Sequence, residues 1–174
     1  MDNEAGVLGV QARQDLRTAF RDVMAAVCTP VSVVTAMTGG RPHGTTVSAF
    51  ASLSMDPPMV LVSLDRGSGL LAMVRDSGAF GLNVLSSGQS ALAANFARKG
   101  EDKFTGIDWA PVAEVPRLPS TCGFVACEVA EVVEGGDHVV LLGRVRLAEP
   151  VGGRPLTYHA RVFGTHAALE EATA

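Results

Sequence analysis

The sequence predicts a mainly β protein: an antiparallel closed sheet built from hairpins, with helices flanking its edges. Three observations carry that expectation. Short apolar runs follow one another across turns rich in Gly and Pro, above all Cys122–Val133 and Val139–Ala148 around Glu134-Gly135-Gly136-Asp137. Helical periodicity is confined to a few short stretches, so hairpins rather than β-α-β units connect the strands. Aromatics make up only 5% of the 174 residues, with one Trp and one Tyr, which leaves aliphatic and valine-rich packing to build the core.

Residues 1–14 read as a loose arm; early acids and the lack of an apolar centre argue against a signal peptide. Asp15 is placed to cap a helix over Leu16–Val27, where Leu16, Ala19, Phe20, Val23, Met24 and Val27 repeat at helical spacing. Pro30 ends it. Val31–Met37 and His43–Phe50 form a hairpin around Thr38–Pro42. Asp56, Pro57 and Pro58 interrupt the chain before the apolar strand Met59–Leu64. Ser68 opens a short helix with Leu70, Leu71 and Val74 on one face. Ala79–Leu85 is the next strand, and Ser86 or Ser87 caps a helix over Gln89–Arg98 that turns Leu92, Ala93 and Phe96 inward. Lys99–Pro119 reads as a long loop of the sort that serves function or acts as a lid. After the strong hairpin, Pro150–Pro155 turns into a last strand, Leu156–Phe163. One domain over 15–166 and a tail over 167–174 complete the chain.

The net charge of −4 argues against nucleic acid or an anionic membrane as the main partner. No apolar run is long enough to span a bilayer. Cys28, Cys122 and Cys127 fit no zinc spacing, and without a secretory signal they read as reduced thiols of a cytoplasmic protein. Neither a Rossmann nor a P-loop glycine motif occurs. No nucleophile triad and no metal-spaced His pair has local support.

What remains is polar chemistry at strand ends. Gly44–Leu64, GTTVSAFASLSMDPPMVLVSL, holds Thr45, Thr46, Ser48, Ser52 and Ser54. Small hydroxylated residues let a ligand approach the backbone and offer donors to phosphate or a polar ring edge. They are also ordinary loop chemistry. Asn83 lies inside an apolar strand, so it either pins the strand end or faces a ligand. Ser86–Gln89 opens a helix, where N–H groups can hold an anion, and Lys99 and Lys103 add positive charge after that helix. His138 follows Gly135-Gly136-Asp137 at a hairpin tip, either as a cleft residue or as a surface turn histidine. His43 reads as a solvated strand end, and His159 points away from Tyr158. Together these features suggest a flat, phosphorylated ligand against the strands of Ser48 and Asn83.

Five segments, FRDVMAAVCTPVSVVTA, GTTVSAFASLSMDPPMVLVSL, FGLNVLSSGQSALAANFA, GGDHVVLLGRV and PLTYHARVF, run over Phe20–Phe163 in an order and spacing that resemble the short-chain flavin reductases of two-component flavin monooxygenases. The resemblance implies a split β-barrel that binds FMN or FAD, as a homodimer with the flavin near the subunit interface. It implies reduction of the flavin by NADH or NADPH and release of the product to a separate monooxygenase. By the same match Thr46, Val47, Ser48, Ser52 and Leu53 line the flavin, and Asn83, Val84, Leu85 and Ser86 border its ring. Ser87, Gln89, Phe96 and Lys103 fall toward the phosphate. His138 matches a Gly-Asp-His turn on the nicotinamide side, and Tyr158 matches an aromatic of the last strand. Where the family often has a basic residue before the final aromatic, this chain has Val162, with Arg161 one position earlier. On a strand that shift sends the charge to the other face, which counts against a nucleotide-binding role for Arg161. Two other readings are a split-barrel enzyme of the pyridoxamine-phosphate-oxidase kind and a non-enzymatic flavin- or haem-binding module.

Overall fold

Ser32, Val33, Val34, Thr35 and Ala36 are buried without exception, and the architecture is anchored on this run. The computed structural model describes residues 2–100 and 102–168. In it these residues form β2 (Ser32–Thr38), a strand covered on both faces. Alternation sends Val34 and Ala36 into a core with Leu64, Phe80, Leu141 and the Leu70, Leu71 and Val74 face of helix α2 (Gly69–Ser77). Val33 points the other way, to Leu85, Leu118, Leu156 and the Ala93 and Phe96 face of α3 (Ser90–Ala97).

The main sheet has seven antiparallel strands. From edge to edge they are β3 (Arg41–Val47), β2, β6 (Ala79–Val84), β9 (Gly123–Gly135), β10 (His138–Pro150), β5 (Pro58–Asp65) and β4 (Phe50–Met55). The hairpin pattern alone suggested a closed sheet; the sheet is instead open at one seam, as the split barrel implied by the family resemblance requires. The edges β3 and β4 do not pair with each other, and only Ser48 and Ala49 join them. A bond from the Ser63 N–H to the Ala49 carbonyl, 2.9 Å, holds that crossing against β5. The result is a split barrel. A smaller sheet, β1 (Thr29–Pro30), β11 (Leu156–His159) and β12 (Val162–Thr165), packs beside it, and β7 (Ala110–Val112) pairs with β8 (Val115–Arg117).

Several elements differ from expectation. Helix α1 spans Asp2–Ala25, so Asp15 lies inside it rather than at its cap. Its apolar stripe does not face the core: Leu16, Phe20, Val23 and Met24 are all exposed, Leu16 by 70%. Strand β4 has four exposed positions among its six, which hid it from a reading based on apolar pattern. The N-cap position of α3 is Gln89 rather than Ser86 or Ser87; the Gln89 Oε1 accepts the Ser86 N–H at 3.0 Å. Ser68 stands at the N-cap of α2 but makes no side-chain capping bond.

The long loop after α3 is no lid. Phe104, Ile107 and Trp109 pack on the Phe96 cluster, with Phe96 and Phe104 edge-on at 5.0 Å. The last strand is in fact a hairpin, β11–β12, whose turn residues Ala160 and Arg161 have φ of 48° and 66°. Arg161 therefore sits at a turn tip, and the face-reversal argument made for a continuous strand does not apply to it. Residues 167 and 168 carry no regular structure, and the rest of the expected tail lies outside the described residues.

Candidate active site

The hairpin β9–β10 turns tightly at Gly136, φ 70°, and this brings His138 beside Asp65 at the end of β5. A cleft of about 660 Å³ opens there. One wall is the end of β3 and the seam, from Thr45 to Ala49. Facing it are His138, the turn from Asp65 to Gly69, and the chain after α3 with Arg98, Lys99 and Lys103.

Hydroxyls of the β3 wall are partly committed to structure. The Thr46 Oγ1 donates to the Ala93 carbonyl at 2.6 Å, and the Thr45 Oγ1 to the Phe96 carbonyl at 3.4 Å, which clamps α3 on β3. Their oxygens keep acceptor capacity, while Ser48 is exposed at the seam.

Lys103 is the one buried cation among the described residues, 6% exposed. Its Nζ donates to the carbonyls of Gly44 at 3.1 Å and Phe96 at 3.0 Å. The Phe96 carbonyl belongs to the last turn of α3, where a cation is favoured. Burial, and then the nearby Arg98 charge, lower the Lys103 pKa below its ordinary 10.5. An ammonium has three donors, so one remains for an anion in the cleft. Gly44 is required beneath this arrangement, since a Cβ there would stand 3.0 Å from the Phe96 ring.

His138 is half-buried at the opposite lip, with Nδ1 2.8 Å from the Asp137 carboxylate. That bond and the imidazole's charge hold the Asp137 carboxyl below its usual range.

Of the residues expected at the site, Thr46, Val47, Ser48, Lys103 and His138 line this cleft. Tyr158 lines a second cleft of about 530 Å³, on the other side of a ridge formed by Thr46, Ser48, Ala97 and Arg98. Asn83, Leu85 and Phe96 are fully buried and cannot touch a ligand. Asn83 takes the structural alternative. Its Nδ2 lies 3.2–3.3 Å from the Val33 carbonyl, the Thr35 Oγ1 and the Pro116 carbonyl, and its Oδ1 accepts the Leu118 N–H at 2.8 Å. Gln89 ties Ser86 to the Pro119 carbonyl, and the Ser87 N–H donates to the Arg154 carbonyl. These two serines and Val84 line neither cleft, nor do Ser52 and Leu53, which lie on the exposed edge strand β4 at a bulge.

Sequence reasoning set His43 aside and did not single out Asp65 or Arg98, yet all three line the cleft. The Asp-Arg-Gly-Ser-Gly turn between a buried strand and a helix was the available signal for the second.

A split barrel with a seam of small residues, a buried lysine and a cationic loop around one cleft has the donors and the space that a flat, phosphorylated ligand needs. The donor set fits a flavin nucleotide: hydroxyls and free edges for a ring, and Lys103 with Arg98 and Lys99 for its phosphate. The profile of the flavin reductase like domain matches residues 24–167, and the chain belongs to that family.

It is similar to the reductase component of 4-nitrophenol 4-monooxygenase/4-nitrocatechol 2-monooxygenase from Rhodococcus opacus, 36% identical over 85% of this chain and 80% of that protein. It is also similar to the FMN reductase (NADH) SmoA of Agrobacterium fabrum, 38% identical over 84% of each. Among solved structures, nitrilotriacetate monooxygenase component B from Mycobacterium thermoresistibile superposes with a TM-score of 0.83, at 32% identity over 94% of this chain and 97% of that one.

Proposed function

We propose that the chain is an NAD(P)H-dependent flavin reductase that supplies reduced FMN or FAD to a separate monooxygenase. The observation that carries this reading is the convergence of Ser48, Lys103 and His138 on one cleft in a member of the flavin reductase family. A bound flavin supplies the hydride-accepting chemistry itself. The chain's own residues bind, orient and exclude water. Lys103, with Arg98 and Lys99, holds the flavin phosphate. Thr46 and Ser48 meet the polar edge of the ring, and the backbone between them approaches it closely because the side chains are small. His138, braced by Asp137, positions the nicotinamide. Hydride transfer needs no general acid or base from the protein, so the cleft's part is to position the two rings.

The relatives named as reductase components favour a partner oxygenase met transiently through the released flavin. The exposed α1 stripe, Leu16, Phe20, Val23 and Met24, favours a homodimer, because an apolar helix face of that kind is covered in a stable state. Reduced thiols favour the cytoplasm as the place of action. Among the described residues no helix is long and apolar enough to cross a membrane.

The deciding experiment adds FMN or FAD to the purified chain and follows NADH and NADPH oxidation by nicotinamide absorbance. Flavin-dependent turnover is the expected result. Tight coloured flavin without turnover would make the chain a carrier, and oxidation of an amine without nicotinamide would make it an oxidase. Light scattering after gel filtration reads the dimer.

A further inference from the structure

The lip of the first cleft that carries His138 is built from two elements latched together. Strands β5 and β10 pair so that His138 stands opposite Asp65. The Arg66 N–H donates to the Asp137 carbonyl at 3.1 Å, and the Arg66 guanidinium is committed to Glu134. Arg66 is thus drawn away from the carboxylate next to it in sequence. Asp65, Ser68 and His138 all line the cleft.

Each of the three brings a defined polar atom. The Asp65 Oδ1 accepts the Gly67 N–H at 2.6 Å. That bond fixes the carboxylate and leaves its Oδ2 as an acceptor. The His138 Nδ1 lies 2.8 Å from the Asp137 carboxylate, which can only accept, so Nδ1 carries the proton. In the neutral imidazole Nε2 is then an acceptor as well. Ser68, half-buried at the N-cap of α2, makes no side-chain capping bond, which leaves its hydroxyl to donate. Two acceptors and one donor on a single lip match a primary amide, with its two N–H groups and its carbonyl. A ketone in the same place would leave both acceptors bare, and a carboxylate would meet the Asp65 charge.

We propose that Asp65 is a specificity-determining residue that reads the carboxamide of the nicotinamide: the amide NH2 donates to Asp65 Oδ2 and His138 Nε2, and the Ser68 hydroxyl donates to the amide carbonyl. The assignment rests on the reading that His138 positions a nicotinamide in this cleft. It gives the turn between β5 and α2, which local pattern did not single out, the task of telling the amide from its isosteres.

The test loads the full chain with oxidised flavin, FMN or FAD. It then titrates the complex by calorimetry with NAD+ and with the 3-acetylpyridine analogue of NAD+, which carries a methyl where the amide has its NH2. No hydride moves between oxidised partners, so affinity is read without turnover. The wild type should bind the amide about tenfold more tightly, the worth of a hydrogen bond to a charged acceptor. Asp65→Asn keeps an Oδ1 for the Gly67 N–H, so the melting temperature should hold while the preference disappears. Ser68→Ala should weaken both ligands and keep the preference, because both carry the carbonyl. The KM values of the two reduced nucleotides should show the same ratio. Equal affinities in the wild type, a preference unchanged by Asp65→Asn, or one lost only together with the fold overturns the assignment. Flavin reduction by NADH without preference between the two nucleotides defeats the carboxamide reading and leaves the proposed function standing. No binding and no oxidation of either nucleotide defeats both.

Discussion

Asn83→Ala separates a structural from a ligand-binding role at a residue that sequence reasoning assigned to the flavin. The side chain is fully buried and lies within hydrogen-bond reach of four groups: Val33, Thr35, Pro116 and Leu118. Truncation leaves the buried Leu118 N–H without its acceptor, while the Pro116 carbonyl keeps the Thr35 hydroxyl donor at 2.6 Å, and it opens a small void. An unsatisfied buried group costs about 1–3 kcal/mol and a small void about 1 kcal/mol, so the sum is about 2–4 kcal/mol, a large share of a domain's stability. At about 2–4 °C per kcal/mol for a chain of this size, the melting temperature falls by about 4–16 °C. Urea denaturation of the flavin-free protein measures it. Limited proteolysis should report early cleavage in 99–119, because Asn83 ties Pro116 and Leu118 to the sheet. A loss under about 1 kcal/mol together with weakened flavin binding would refute the reasoning and return Asn83 to the ligand.

Lys103→Met keeps the apolar stem but removes the charge, and flavin affinity should fall about tenfold, as read by fluorescence quenching. The Lys103 pKa is lowered below 10.5 in the folded state. Between that lowered value and 10.5 the unfolded chain holds more protons, so the residue's contribution to stability rises with pH across that window. Flavin affinity moves the other way, declining as the ammonium loses its proton; in Lys103→Met both pH dependences from this residue disappear. His138→Ala should raise the KM for NADH about tenfold, the worth of one charged or strong hydrogen bond, with flavin affinity retained; unchanged kinetics would remove His138 from the site. Cys127 is buried, with its pKa pushed up to about 12. A thiol reagent should therefore modify exposed Cys28 in the native protein and reach Cys127 only on unfolding; rapid native modification of Cys127 would contradict the packing.

Residues whose roles rest on local pattern were legible. The β9–β10 hairpin announced itself through Gly135-Gly136-Asp137, and the same turn delivers His138 to the cleft. Strand β2 and helices α2 and α3 followed from period two and period 3.6. Pattern failed where exposure and partners decide. Nothing local tells an Asn in an apolar strand whether it will meet a ligand or the carbonyl of Pro116; that depends on how 99–119 folds back over the sheet. Exposed β4 lacked an alternation to read. The stripe on α1 was visible as apolar, but periodicity names a face and not what covers it. His43 and Arg98 were passed over because a polar residue near an element end looks the same whether it borders solvent or a cleft.

The sequence alone determined a hairpin-built β chain with three helical stretches, a hydroxyl-rich stretch at Thr45–Ser48 and a family resemblance that the family match bears out. These follow from short-range sterics and burial, which act within a few residues. Only the tertiary structure decided that the opening lies between β3 and β4, that Lys103 is buried against the carbonyls of Gly44 and Phe96, and that Ser48, Lys103 and His138 share a cleft. Those facts depend on pairings between distant segments, and the free energy of such contacts belongs to the assembled fold rather than to any stretch of the chain.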